Sequence, residues 1–185
     1  MRVALFITFA FAVLLDPVPA LGTVYLPADF GEMVDGSLYI VHGRVADVRS
    51  APTVDRRRVV THVTLEVAQP LKGSPGDSIT FMVPGGQVGA YERVVVGAPR
   101  FEAGDEVILF LTARGPSIPY VFGLSQGVYR VSRASGRPLV APPAVFVDAA
   151  EGAEPGRLVR GDPARRALPL DDFARAVRAT MERGK

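Results

Sequence analysis

The sequence predicts a mainly β protein, an antiparallel β-barrel that is closed or nearly so, with a short helix before it and an amphipathic helix after it. Three observations carry this expectation. Residues 58–67 alternate strictly, with Val59, Thr61, Val63, Leu65 and Val67 on one face and Arg58, His62, Thr64 and Glu66 on the other. Short apolar runs separated by Gly/Pro turns continue from residue 38 to 141, the signature of consecutive strands. Near the other end, Leu170, Phe173, Ala174, Val177 and Met181 recur at helical spacing. Closure of such a sheet also hides edges that would otherwise pair with other chains.

The first twenty residues read as a signal peptide. Arg2 supplies a positive start, Ala4 to Leu15 is apolar, and Asp16 to Ala20 breaks the run with small residues suited to cleavage after Ala20. Twelve apolar residues extend about 18 Å as a helix, against a hydrocarbon core of about 30 Å. The chain is therefore expected to be secreted or periplasmic, with no membrane span in its mature part. The domain it delivers is expected over residues 21–141.

Within that domain, residues 27–37 predict a short helix, with Pro27 and Asp29 at its start and Asp35-Gly36 at its end. Leu38 to Val48 predicts a strand, bent or bulged at Gly43. Ala51 to Arg57 is a polar loop, Arg58 to Leu71 the alternating strand, and Lys72 to Asp77 a turn. Ile79, Phe81 and Val83 alternate as a third strand that ends at Pro84-Gly85-Gly86, and Glu92 to Val96 predicts another. The run Val107 to Leu111 is apolar on both faces and predicts a central strand. Tyr120 to Leu124, Val128 to Val131 and Pro138 to Val140 complete the sheet, the last two joined by a turn at Ser135-Gly136. Residues 142–169, rich in Pro, Gly, Ala and Arg, predict an irregular connection. The helix at 170–183 has Asp171 and Asp172 in its first turn, where the helix dipole favours acids, and Gly184 at its C-cap.

Composition narrows the function. The chain has 185 residues, enough for one sizeable core, and a formal net charge of +2, too small to argue for nucleic acid. Arg2 and Asp16 cancel, so cleavage leaves that charge unchanged. The absence of cysteine excludes disulfides, thiol catalysis and thiolate metal sites. The absence of asparagine excludes N-glycosylation.

The segments SLYIVHGRVADV, THVTLEVAQPLKG, FMVPGG and GAPRFEAGDEVILFL resemble a class of exported bacterial proteins that look like distant relatives of the netrin-like domain. That domain includes the tissue inhibitors of metalloproteinases. The resemblance covers about residues 29–141 and rests on Gly43-Arg44-Val45, Leu71-Lys72-Gly73 and the C-terminal helix. It implies an OB-like antiparallel barrel, a place outside the cytoplasm and a protein-binding role. The animal inhibitors use an N-terminal cysteine and disulfides; this chain has no cysteine, so that inhibitory residue maps to no position here.

Candidate chemistry is sparse. Gly123-Leu124-Ser125-Gln126-Gly127 matches G-x-S-x-G, but a nucleophile elbow needs a helix after the serine, and here a strand pattern follows. Both histidines, His42 and His62, precede Ser125, contrary to the order of that hydrolase fold. The histidines sit on different predicted strands without metal-ligand spacing, although neighbouring strands could bring them together. Asp105-Glu106 and Asp171-Asp172 occupy a turn and a helix start, where acids serve structure. Pro84-Gly85-Gly86 could cradle an anion, and Arg56-Arg57-Arg58 could touch an anionic surface; a sharp loop and a solvated loop are the plainer readings.

The expected function is that of an exported, non-catalytic module that binds a protein or peptide partner, a secreted protease among the candidates, without a cofactor or metal. Contacts are expected on the loops, from Gly85, Gly86, Gln87 and Tyr91 and from Arg100 and Phe101, with the Tyr, Arg and Phe as anchors. The alternatives are a structural or cell-envelope-associated protein, with 142–169 as tether, and a serine hydrolase using Ser125.

Overall fold

The computed structural model describes residues 28–115, 117–134, 136–146, 158–160 and 166–184; the expected signal peptide at 1–20 lies outside the described residues. Helix α1 spans Phe30–Gly36, shorter than expected, because Asp29 caps it: its carboxylate accepts a hydrogen bond from the Glu32 N–H. Met33 and Val34 form its buried face.

Strands β1 (Tyr39–Pro52) and β2 (Val59–Lys72) pair antiparallel over most of their length. The alternation predicted for β2 is borne out: Val59, Val63 and Leu65 are buried and Glu66 is exposed. The irregularity expected at Gly43 is also present. Register shifts occur between His42 and Gly43 and at two other points of β1. A Cβ on Gly43 would lie 2.1 Å from the Glu66 carbonyl oxygen, so only glycine lets the two backbones come this close. β1 runs on to Pro52, beyond the expected start of the loop.

β3 (Ser78–Pro84) pairs antiparallel with β2, and its Ile79, Phe81 and Val83 are buried as predicted. β4 (Gly86–Val88) and β5 (Tyr91–Arg93) form a separate hairpin. The strand expected over Glu92–Val96 is therefore displaced: pairing ends at Arg93, and Val94 to Val96 carry no ladder. β6 (Glu106–Thr112) is central, pairing antiparallel with β1, β7 (Tyr120–Val121) and β8 (Val128–Ser132). β7 stops at Val121 instead of Leu124, because a left-handed Gly123 and Leu124 turn the chain into a 3-10 turn over Leu124–Gly127. β7 also pairs with β3, in parallel, at Met82 and Tyr120, which makes the sheet mixed.

β9 (Leu139–Ala141) extends the sheet beside β8. Residues 142–169, expected to be irregular, hold three short strands among their described residues. β10 (Ala144–Phe146) pairs with β11 (Leu158–Arg160), and β12 (Leu168–Pro169) pairs with β9. Backbone pairing needs no apolar pattern, which is why composition missed them. Helix α2 spans Leu170–Arg183, as predicted, with Phe173, Ala174 and Val177 buried and Gly184 at its C-cap.

β1 and β6 divide the interior. Val41, Val45, Val107, Leu109 and Leu111 point to one cluster, closed by Val63, Leu65 and Phe81. Ile40, Ile108 and Phe110 point the other way, under α1 and α2. There Phe173 meets Tyr129 and Phe30 at ring-centroid distances of 4.8 and 5.6 Å. A strand apolar on both faces is thus one with a core on each side.

Candidate functional site

The loop Pro84-Gly85-Gly86 is built by its neighbours. The Gly85 N–H donates to the Val59 carbonyl at 3.0 Å. The Thr61 hydroxyl donates to the Gly85 carbonyl at 2.8 Å and lies 2.9 Å from the Ser50 hydroxyl. A Cβ on Gly86 would sit 2.3 Å from both hydroxyl oxygens, which makes glycine obligatory there. The loop launches the β4–β5 hairpin, in which Gln87 faces Glu92 and Val88 faces Tyr91. The Gln87 amide donates to the Gly89 carbonyl at 3.1 Å.

Residues 94–102 then cross back toward β6. Between this segment and the hairpin lies a cleft of about 250 Å3, which five of the six predicted residues line: Gly85, Gly86, Gln87, Arg100 and Phe101. Tyr91 does not line it; it stands at the hairpin end, 60% exposed. Arg100 is exposed and pairs with Glu92 at 3.3 Å, a surface ion pair of small energetic weight. Phe101 corrects the expectation of an aromatic anchor. It is 8% exposed and packs edge-on against Phe81 at 5.3 Å, so it floors the cleft as part of the core.

Three residues that sequence reasoning passed over are more prominent. Val88, Val94 and Val96 are 37%, 65% and 84% exposed, and with Tyr91 they put four large apolar side chains in solvent within residues 88–96. Val94 to Val96 fall in the strand expected over Glu92 to Val96, and no local signal distinguishes exposed apolar residues from covered ones.

The second polar constellation surrounds Glu106 and was not expected. Arg133 grips its carboxylate with two hydrogen bonds, Nε to Oε2 at 2.7 Å and Nη2 to Oε1 at 2.6 Å. His42 Nε2 donates to Oε1 at 2.9 Å, and Arg44 Nη2 reaches Oε2 at 3.3 Å. The Arg133 fork holds Glu106 down to about 2, against the opposing effect of burial and with further help from His42. Its neighbour Asp105 turns to Arg130 at 2.8 Å. Burial pushes Asp105 up, and hydrogen bonds from the Glu102 N–H and Arg130 outweigh it, leaving the group below its ordinary value. Two ionised, fully engaged carboxylates on separate partners do not form an acid/base pair at neutral pH.

Ser125 lies in the 3-10 turn, with its N–H donating to Gly97 at 3.1 Å and strand β8 directly after it. The cavity it lines, about 610 Å3, is bordered by Arg100 and Arg130 among others and, among the described residues, by no histidine or acid. His42 is committed to Glu106. His62 faces Arg49 across the β1–β2 ladder, whereas His42 faces Gln69. Seven positions of β1 separate the two histidines' rungs, about 23 Å of strand. Among the described residues no group of three or more His, Asp or Glu could hold a metal ion, and no helix is long and apolar enough to cross a membrane.

Compared with protein-family models, with curated proteins and with solved structures, the chain matches none.

Proposed function

We propose that this chain is an exported, non-catalytic binding module whose OB-like barrel presents residues 85–100 to a protein or peptide partner. The carrying observation is the clustering of exposed apolar side chains, Val88, Tyr91, Val94 and Val96, on one hairpin and the segment after it. Elsewhere among the described residues only Leu38, Val54 and Ile118 are large, apolar and exposed. Concentrated apolar exposure beside a cleft is the ordinary mark of an interaction surface.

The barrel reading is supported by the pairing circuit, which runs β1–β2–β3–β7–β6 and returns through β6 to β1. The export reading is supported by the pattern of residues 1–20. The non-catalytic reading is supported by Ser125 lining a cavity without a base and by carboxylates locked in ion pairs.

The test is retention of a partner from the culture supernatant of the source cells on immobilised mature protein. A discrete partner with a dissociation constant between about 1 nM and 1 μM is expected. The double variant Tyr91→Ala, Val96→Asp should weaken it at least about tenfold without lowering the melting temperature. Equal retention by the double variant, or fractionation with the cell envelope and no soluble partner, rejects this reading in favour of a structural role.

A further inference from the structure

Behind the wall formed by Gly85, Arg93 and Val95 lies a second cavity of about 420 Å3. Its interior is apolar, with Val59, Val60, Met82, Val121 and Leu124 among the lining residues. Among the described residues no acidic side chain lines it, but Arg58 and Arg93 do. Among the described residues neither guanidinium group is within ion-pair distance of an acid, and Arg93 donates to the Arg57 carbonyl at 3.3 Å. Asp55, the acid of the neighbouring loop, accepts hydrogen bonds from the Thr53 hydroxyl and the Arg57 N–H, and its charge is felt by Arg58. Arg58 and Arg93 are the charged residues among its lining, and both are cationic.

An apolar hole with a cationic rim selects its occupant by two properties together. The greasy interior favours an apolar side chain released from water. The rim favours negative charge beside that side chain, and it penalises a basic or neutral segment. Val88, Tyr91, Val94 and Val96 add apolar surface on the hairpin and segment adjoining Arg93, which suits a peptide chain longer than one residue. Among the described residues Tyr120 is the sole aromatic lining residue, a poor platform for stacked bases.

We propose that this cavity takes the apolar side chain of an acidic peptide segment, with Arg58 and Arg93 binding the flanking carboxylates. The assignment rests on the binding-module reading and names the chemistry of its partner.

The experiment is fluorescence anisotropy on the mature protein with a labelled octapeptide, Gly-Asp-Glu-Leu-Phe-Asp-Glu-Gly. Saturable binding is expected, weakening at least about tenfold when the four acids become Asn and Gln, and likewise when Leu-Phe becomes Gly-Ser. Arg58→Glu, and Arg58→Glu with Arg93→Glu, should each lose about tenfold or more, and Val60→Trp should lose binding by filling the cavity. A thermal melt accompanies each variant, and Arg58→Glu, on an exposed residue, keeps the proposal testable where Val60→Trp fails to fold. No binding of the acidic peptide, equal binding of its amide version, or an unchanged affinity in Arg58→Glu overturns the proposal. So does tighter binding of a ten-residue oligothymidylate or of oleate than of the peptide. Capture of a Tyr91-dependent partner alongside any of these results leaves the binding-module reading standing and removes only this one.

Discussion

Thr61 interrupts an otherwise apolar face between Val59 and Val63, and the interruption has a use: its hydroxyl fixes the Gly85 carbonyl and so sets the angle at which the hairpin leaves the sheet. Glu106 works in the same manner on a larger span. It ties His42 and Arg44 of β1 to Arg133 beyond β8 through one carboxylate that is only 10% exposed. Its folded value of about 2 lies below its ordinary 4.5, so the folded state holds the ionised form more tightly than the unfolded chain does. The stability this contributes is present in full above about pH 4.5 and is lost as pH falls toward about 2. The difference in melting temperature between the native protein and Glu106→Gln should therefore be large at neutral pH and shrink across that interval. A difference that stays constant from pH 7 to pH 2 would remove the ion cluster from the account.

At the scale of the element, β2 is the sharpest case, because one step along it exchanges core for solvent. Val63 is fully buried between β1 and β3, opposite Val48 and Phe81. Val63→Asp should prevent folding, since an unpaired buried charge costs several kcal/mol, on the order of 3–5 by analogy with a broken buried pair. Thr64→Asp forfeits only the hydroxyl contact with Thr80 at 3.1 Å and should fold, as circular dichroism would show. Comparable melts for the two variants would refute the register. β6 obeys the complementary rule: its five apolar residues leave neither face for water, and each face meets a separate cluster.

The whole molecule is two cores sharing the strands β1 and β6, and α2 is the cover of the second. A chain ending at Pro169 would bare Ile40, Ile108, Phe110 and Tyr129 and lose the burial of Phe173 and Val177, each worth about 1.5–3 kcal/mol. It should melt at least about 10 °C lower or aggregate; an unchanged melt would show that the helix is an appendage. The local facts were legible without coordinates: the alternation of β2, the bulge glycine, the two-faced apolar run of β6 and the amphipathy of α2. Each is fixed by residues within one or two turns of one another, where periodicity reports directly which way a side chain points. The candidate site was half legible. The turn glycines and the loops were found, because Gly and Pro punctuate the chain by their own backbone limits, but Phe101 went inward and Val94 and Val96 went outward. The Glu106 cluster, the parallel contact of β3 with β7 and the second cavity that brings Arg58 and Arg93 together left no trace in the local pattern. Those depend on which strands become neighbours, and contacts such as Glu106 with His42, 64 residues away, are chosen by the packing of the whole chain. The sequence by itself determined the long elements β1, β2, β3, β6 and α2 and the buried faces of the last four; the tertiary structure decided the short strands, which charges are neutralised and which apolar groups remain uncovered, because these are properties of partners that only folding brings together.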